Sequence, residues 1–304
     1  MLSLSTCWFA ARNVGGDAMV DEALEMGFGA LELGYALRKE AAEAILARSA
    51  KGDIAVSSIH AFTPAPDDKP GHPELFSIAE ADEAARANAV AKVLENLEFA
   101  RRASAPAVVL HAGRIKPSGR RWLWVHARII GDATTGFFYR WNYGRMLKAR
   151  EKGIGAAMDS LRRSQDELLP RFGEAGVRLA LENLPSFDAI PSPEEADALA
   201  RDYGGSKAFA LWYDMGHGQV MENAGFGSGI GYAKRNLPFL AGAHIHDVVG
   251  PAGDHQAPGR GGIDFAQFRF LSSLKSLVFE PAADVLKDDL AAGRELIESL
   301  WNPQ

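Results

Sequence analysis

Eight short, almost wholly apolar runs alternate along this chain with longer amphipathic stretches, and nearly every run stops on a polar side chain. The runs fall at 2–6, 29–33, 54–60, 106–111, 177–182, 208–214, 241–246 and 276–280. Strands that are apolar on both faces belong in a parallel sheet covered by helices. Helical spacing of apolar residues at 17–26, 37–50, 80–103, 161–172, 193–201 and 284–301 supplies the cover. Gly27, Gly52, Gly173 and Gly176 stand where helix C-caps and turns are expected. Eight strands alternating with helices predict a (β/α)8 TIM barrel. A doubly wound open sheet is the alternative, and no glycine-rich fingerprint follows the first strand to favour it.

A length of 304 residues suits one barrel domain over 1–304 with an insertion. The insertion is read at 114–152, after the fourth strand. It carries ten basic residues (Arg114, Lys116, Arg120, Arg121, Arg128, Arg140, Arg145, Lys148, Arg150, Lys152) against Asp132 and Glu151. Trp122, Trp124, Phe137, Phe138, Tyr139, Trp141 and Tyr143 are interleaved, too many aromatics for a disordered segment. Such a long connection either packs on the barrel or at a dimer contact, or forms a lid whose arginines meet an anionic substrate and whose rings stack on it. No apolar run approaches the ~18 residues of a membrane span. The start of the chain lacks the basic and apolar pattern of a signal peptide, and a lone Cys7 allows neither a disulfide nor a cysteine zinc site, so a cytoplasmic protein is expected. A net charge of −6 argues against a general nucleic-acid binder.

The runs end on residues that can bind metal. His60, His111, Glu182, Asp214 and Glu280 close the third, fourth, fifth, sixth and eighth runs, and His244 lies in the seventh. His217 follows Asp214 in Asp214-Met215-Gly216-His217, while Asp254 and His255 fall in the loop after the seventh run. The C-terminal ends of barrel strands converge on one mouth. Carboxylates and imidazoles crowded into a partly dry mouth repel one another unless a cation binds them. Oxygen and imidazole donors without thiolate suit Mn²⁺, Mg²⁺, Co²⁺, Fe²⁺ or Zn²⁺. Glu182, Asp214, His244 and Glu280, level on four consecutive strands, are the metal candidates. His60, His111, His217, Asp254 and His255 are further metal or substrate candidates. Glu32 and His246 are read as hydrogen-bonded structure, His246 as facing away from His244, and His72 and His126 as surface residues.

These stretches resemble the xylose isomerase-like TIM-barrel superfamily, which includes sugar (phosphate) isomerases and epimerases and endonuclease IV. The likeness is carried by Ser57-Ser58-Ile59-His60-Ala61, Val108-Val109-Leu110-His111-Ala112-Gly113, Leu179-Ala180-Leu181-Glu182-Asn183-Leu184-Pro185, Asp214-Met215-Gly216-His217 and His244-Ile245-His246-Asp247 with the loop to Phe265. In the isomerase and epimerase branch the resemblance implies one divalent metal, Mn, Mg, Co or Zn, held by Glu182, Asp214, His244 and Glu280. The two glutamates double as an acid/base pair working through an enediolate. In the endonuclease branch it implies up to three metals. His60, His111, Glu182, Asp214, His217, His244, His255 and Glu280 match eight of nine ligand places. The ninth departs, because Asp254 and His255 are adjacent where that branch has Asp-x-His.

The expected activity is therefore metal-dependent isomerisation or epimerisation of a small sugar, sugar phosphate or keto-polyol. Trp8, Arg260, Arg120, Arg121 and Trp122 are the candidate substrate contacts. A multi-metal phosphoesterase acting on abasic DNA is the alternative. A dehydratase, lyase or non-haem iron oxidative enzyme follows, and a carbohydrate-binding barrel without catalysis is last. A homodimer or homotetramer is compatible with such a barrel.

Overall fold

The computed structural model describes residues 2–12, 14–115, 120–131, 134 and 136–301, apart from the side chain of Arg121. Its centre is a closed parallel barrel. The strands are β1 (Leu2–Ser5), β2 (Ala30–Leu33), β3 (Ala55–His60), β4 (Ala107–Leu110), β5 (Arg178–Glu182), β6 (Phe209–Asp214), β7 (Leu240–Ile245) and β8 (Ser276–Phe279). The ring closes where Leu2 pairs with Leu277 on one side of β1 and Ser3 with Ala30 on the other.

Helices α1 (Gly16–Glu25), α2 (Lys39–Ala50) and α3 (Glu83–Arg102) follow the first three strands. After β4 come α4 (Arg120–Ile130) and α5 (Phe137–Ala175), and after β5 comes α6 (Pro193–Tyr203). Strand β6 leads into α7 (Met215–Asn223) and α8 (Gly229–Asn236), β7 into a 3₁₀ stretch (Phe265–Ser273), and β8 into α9 (Lys287–Trp301). The eight expected strands are all present, shifted by a residue or two at their ends. His111, His246 and Glu280 lie one residue beyond the ladders rather than within them.

Strand parity assigns the interior. Ala107, Val109, Ala180, Ala210, Trp212 and Val278 pack on one another inside the ring, while the alternate residues Val108, Leu179, Leu211 and Phe279 join the larger core under the helices. Trp212 fills the interior because Gly242 faces it. A Cβ on Gly242 would come within 2.4 Å of that ring.

Within 114–152 the described residues are mostly helical. They span α4 and the N-terminal part of α5, a helix of 39 residues with Pro170 inside it. The helix expected at 161–172 is thus the barrel-side part of a longer element, and Gly173 lies within it rather than at its cap. Val125, Ile129, Tyr139 and Met146 pack with Phe187 and Ala224, which follow β5 and α7. Tertiary contact of this kind overrides the low helix propensity of Gly144, Gly153 and Gly155. Lys116 and Asp132 lie outside the described residues.

Candidate metal centre and active site

Residues two apart on a strand share a face. Glu182, Asp214, His244 and Glu280 therefore continue the inward rows that begin with Ala180, Trp212, Gly242 and Val278. They meet above the Trp212 ring, which stands edge-on to His244 at 5.2 Å. One ligand atom from each of the four lies within 4.8 Å of the others, and all four residues are buried. His244 Nδ1 is 3.2 Å from Glu182 Oε1, 3.2 Å from Glu280 Oε2 and 3.5 Å from Asp214 Oδ2.

The other histidine nitrogen explains a residue that sequence reasoning set aside. His244 Nε2 is 3.2 Å from both oxygens of Glu32, and Glu32 also accepts a 2.8 Å hydrogen bond from Ser58. A proton on Nε2 leaves the Nδ1 lone pair facing the three carboxylates, the carboxylate–histidine pattern that orients metal ligands. His246, the second misread residue, is two positions from His244 and so points the same way. It is fully buried with Nε2 2.9 Å from the Asp214 carboxylate.

Two further groups adjoin the first: His60, His111 and Glu182, and His217, His246 and His255. His60 and His111 each bring Nε2 to 3.2 Å from Glu182 Oε2. That oxygen is buried and accepts no well-aligned hydrogen bond among the described residues. The Nδ1 atoms of His60, His217 and His255 lie 3.0, 3.0 and 2.8 Å from the carbonyls of Ala61, Asn183 and Glu280. Carbonyls only accept, so each Nδ1 carries a proton, and in the neutral ring each Nε2 is left as a lone pair. Among the described residues Asp254 is not one of the clustered donors, whereas the adjacent His255 is.

Electrostatics reports the same demand for positive charge. Burial lowers the His244 imidazole, yet Glu280, Glu32 and Glu182 together push it well above the ordinary histidine range. His217 is desolvated too, and Asp214 nevertheless lifts it to about 10. Burial lifts both glutamates. At Glu182 the imidazoles of His244 and His111 outweigh it and hold the carboxyl well below the usual range. At Glu280 burial wins, and the carboxyl stands above that range. Oxygen and imidazole donors, a buried carboxylate oxygen without a partner and lone pairs turned inward fit one or more divalent cations.

Other residues shape the mouth without having been singled out. Asp247 accepts backbone hydrogen bonds from Val248, Gly259, Gly261 and Ile263 at 2.8, 2.9, 2.8 and 3.0 Å, which fixes the loop bearing Asp254 and His255. Asn183 brackets Asp214, donating to its carbonyl and accepting from its N–H at 2.9 and 2.8 Å. Tyr35 sets its ring edge-on to His60 at 5.2 Å. A cavity of about 680 Å³ opens beside the clusters, lined by Tyr143, Asn183, Phe187, Gly218 and Phe226 among others.

Among the candidate substrate contacts, Trp8, Arg120, Trp122 and Arg260 are not members of these ligand groups. Trp8 is 2% exposed, donates its indole N–H to Val285 and is covered by the Arg12 guanidinium at 4.1 Å. Arg260 turns to Asp289 on α9. Arg120 is exposed at the first turn of α4. Trp122 stacks on His126 at 5.2 Å and lines a cavity with Glu74, Arg114 and Asp188. The side chain of Arg121 lies outside the described residues. His72 is exposed and His126 partly so.

Residues 20–280 match the family described as xylose isomerase-like TIM barrel. The chain belongs to the xylose isomerase-like TIM-barrel family. No curated protein matches it by sequence. Among solved structures it is similar to a D-tagatose 3-epimerase-like protein, at 17% identity and TM-score 0.69 over 98% of this chain and 96% of that one. It is similar also to the 3-keto-D-glucoside 4-epimerase YcjR of E. coli, at 16% identity and TM-score 0.66 over 97% and 98%. The IOLI protein, solved with a zinc atom, aligns at 15% identity and TM-score 0.66 over 99% and 97%. Likeness at this level of identity is likeness of fold.

Proposed function

We propose that this chain is a divalent-metal-dependent isomerase or epimerase of a small sugar, sugar phosphate or keto-polyol. The observation that carries the reading is the convergence of Glu182, Asp214, His244 and Glu280 within 4.8 Å, buried, at the strand ends of a barrel of this family. Two of the similar structures are described as an epimerase and an epimerase-like protein. A bound cation supplies charge neutralisation and polarisation of a substrate carbonyl. The protein's own residues do the rest. Glu182, held ionised, takes a proton from the carbon beside the carbonyl, giving an enediolate. Glu280, the other member of the acid/base pair, returns one. Glu32 fixes the His244 ring, and Asn183 fixes Asp214.

A second reading, a multi-metal phosphoesterase, is favoured by one observation: His60 and His111 both direct Nε2 at Glu182 Oε2. Elemental mass spectrometry on protein purified without chelator or histidine tag, joined to three variants, separates the two. About one metal per chain, with turnover on a sugar panel lost by roughly 10³-fold or more in Glu182→Gln and Glu280→Gln but only weakened in His60→Ala, is the expected result. Two or three metals per chain with equal loss in all three variants would replace the first reading by the second.

A further inference from the structure

The His217, His246 and His255 rings pack together, with His246 and His255 stacked at 4.1 Å and His217 edge-on to both. By proximity they form a third metal group. The hydrogen bonds say otherwise for the middle ring. His246 Nδ1 accepts the backbone N–H of His255 at 2.8 Å. That nitrogen is therefore a lone pair, and the neutral ring must carry its proton on Nε2. Nε2 lies 2.9 Å from the Asp214 carboxylate, to which it donates. Both nitrogens are spent.

Asp214 is thereby gripped from two directions. The N–H of His217 reaches its Oδ1 at 2.6 Å, capping α7, and His246 adds the second donor. His246 Nε2 lies 2.9 Å from both oxygens, and Oδ2 also lies 3.5 Å from His244 Nδ1, on the side of the four-residue cluster. Gly216 is what admits the ring: a Cβ there would lie 2.0 Å from His246 Cε1 and 2.2 Å from Nδ1. The glycine of Asp214-Met215-Gly216-His217 thus has a steric reason in His246, thirty residues further on.

We infer that His246 is a positioning residue, not a ligand: it holds Asp214 in the orientation that faces the metal cluster. The inference rests on the metal reading above, since it says what holds the Asp214 carboxylate toward the cluster. Positioning partners of this kind typically change metal affinity 10–100-fold when removed.

The test is calorimetric titration of chelator-stripped protein with Mn²⁺ and with Zn²⁺, reading both sites per chain and Kd. His246→Ala is expected to weaken binding by about 10–100-fold with the number of sites unchanged. His246→Gln, whose amide keeps a donor for Asp214, is expected to bind close to the natural protein. Gly216→Ala, which displaces the ring and leaves every donor in the chain, is expected to copy His246→Ala and serves if that variant fails to fold. Loss of one site per chain in both His246→Ala and His246→Gln would make His246 a ligand and overturn the inference. Unchanged affinity in His246→Ala would overturn it as well, while leaving the proposed function standing. No uptake of either metal by the natural protein would instead remove the proposed function, and this inference with it.

Discussion

At the scale of single residues, the mouth is built from carboxylates whose partners decide their charge. Glu74 shows this at the edge of the site, beside His111. Burial raises its carboxyl, but His111 and the Arg114 guanidinium, whose Nε lies 2.7 Å away, bring it down to about 2. A carboxyl whose folded value lies below its ordinary 4.5 adds stability that is fully present above that pH and is lost as pH falls toward 2. Urea midpoints recorded from pH 5 to pH 2 are expected to fall more steeply in the natural protein than in Glu74→Gln. Parallel curves would refute the coupling. The principal donors were legible in the sequence because strand-end position and period-two alternation are both one-dimensional signals. Glu32 was passed over because one glutamate near a strand end announces nothing without His244 across the barrel. His246 was misplaced by reading a spacing of two as a change of face. Asp247 and Asn183 act through backbone groups, which carry no residue type to be recognised.

Among the elements, α5 departs most from expectation. At 39 residues it extends about 58 Å. Its outer half is tied down by Arg150, which donates to the carbonyls of Phe187 and Ala189 at 2.7 and 2.8 Å and pairs with Glu195. Glu195 also closes the capping box of α6 with Ser192. Replacing Arg150 by Met strands two carbonyls and a mostly buried carboxylate. A loss of about 2–4 kcal/mol in denaturant unfolding is expected. A change below about 0.5 kcal/mol, the range of ordinary surface substitutions, would mean the helix is held by its apolar face alone. The sequence at 114–152 left open whether the segment packs on the barrel, meets a second copy or forms a lid. What holds it helical is contact with Phe187 and Ala224, residues dozens of positions away. The short ladders Gly113–Arg114 with Ala189–Ile190, and Asp247–Val249 with Gly253–Gln256, escaped notice for a related reason: strands of two to four residues have no period to detect.

For the molecule as a whole, the barrel was legible because strands buried on both faces leave short apolar runs that alternate with amphipathic helices. The same closed ring carries the cluster of like charges at its mouth, so folding and metal binding are linked. A ligand present at a hundred times its Kd adds about 2.7 kcal/mol to the folded state. Stripping the protein with EDTA is therefore expected to lower Tm by several degrees, and added Mn²⁺ to restore it. Identical melting curves with and without chelator would detach the cluster from any cation.

The pairing of Leu2 with Leu277 has a consequence in time. At about 5–20 residues per second, β1 leaves the ribosome roughly 15–55 seconds before β8 follows it. Throughout that interval one edge of β1 has its backbone donors and acceptors unmatched, an open template for any neighbouring chain. Ring closure removes that edge altogether. Most of the chain's exposure to misassembly therefore falls before the last strand is made, while the nascent polypeptide is still tethered.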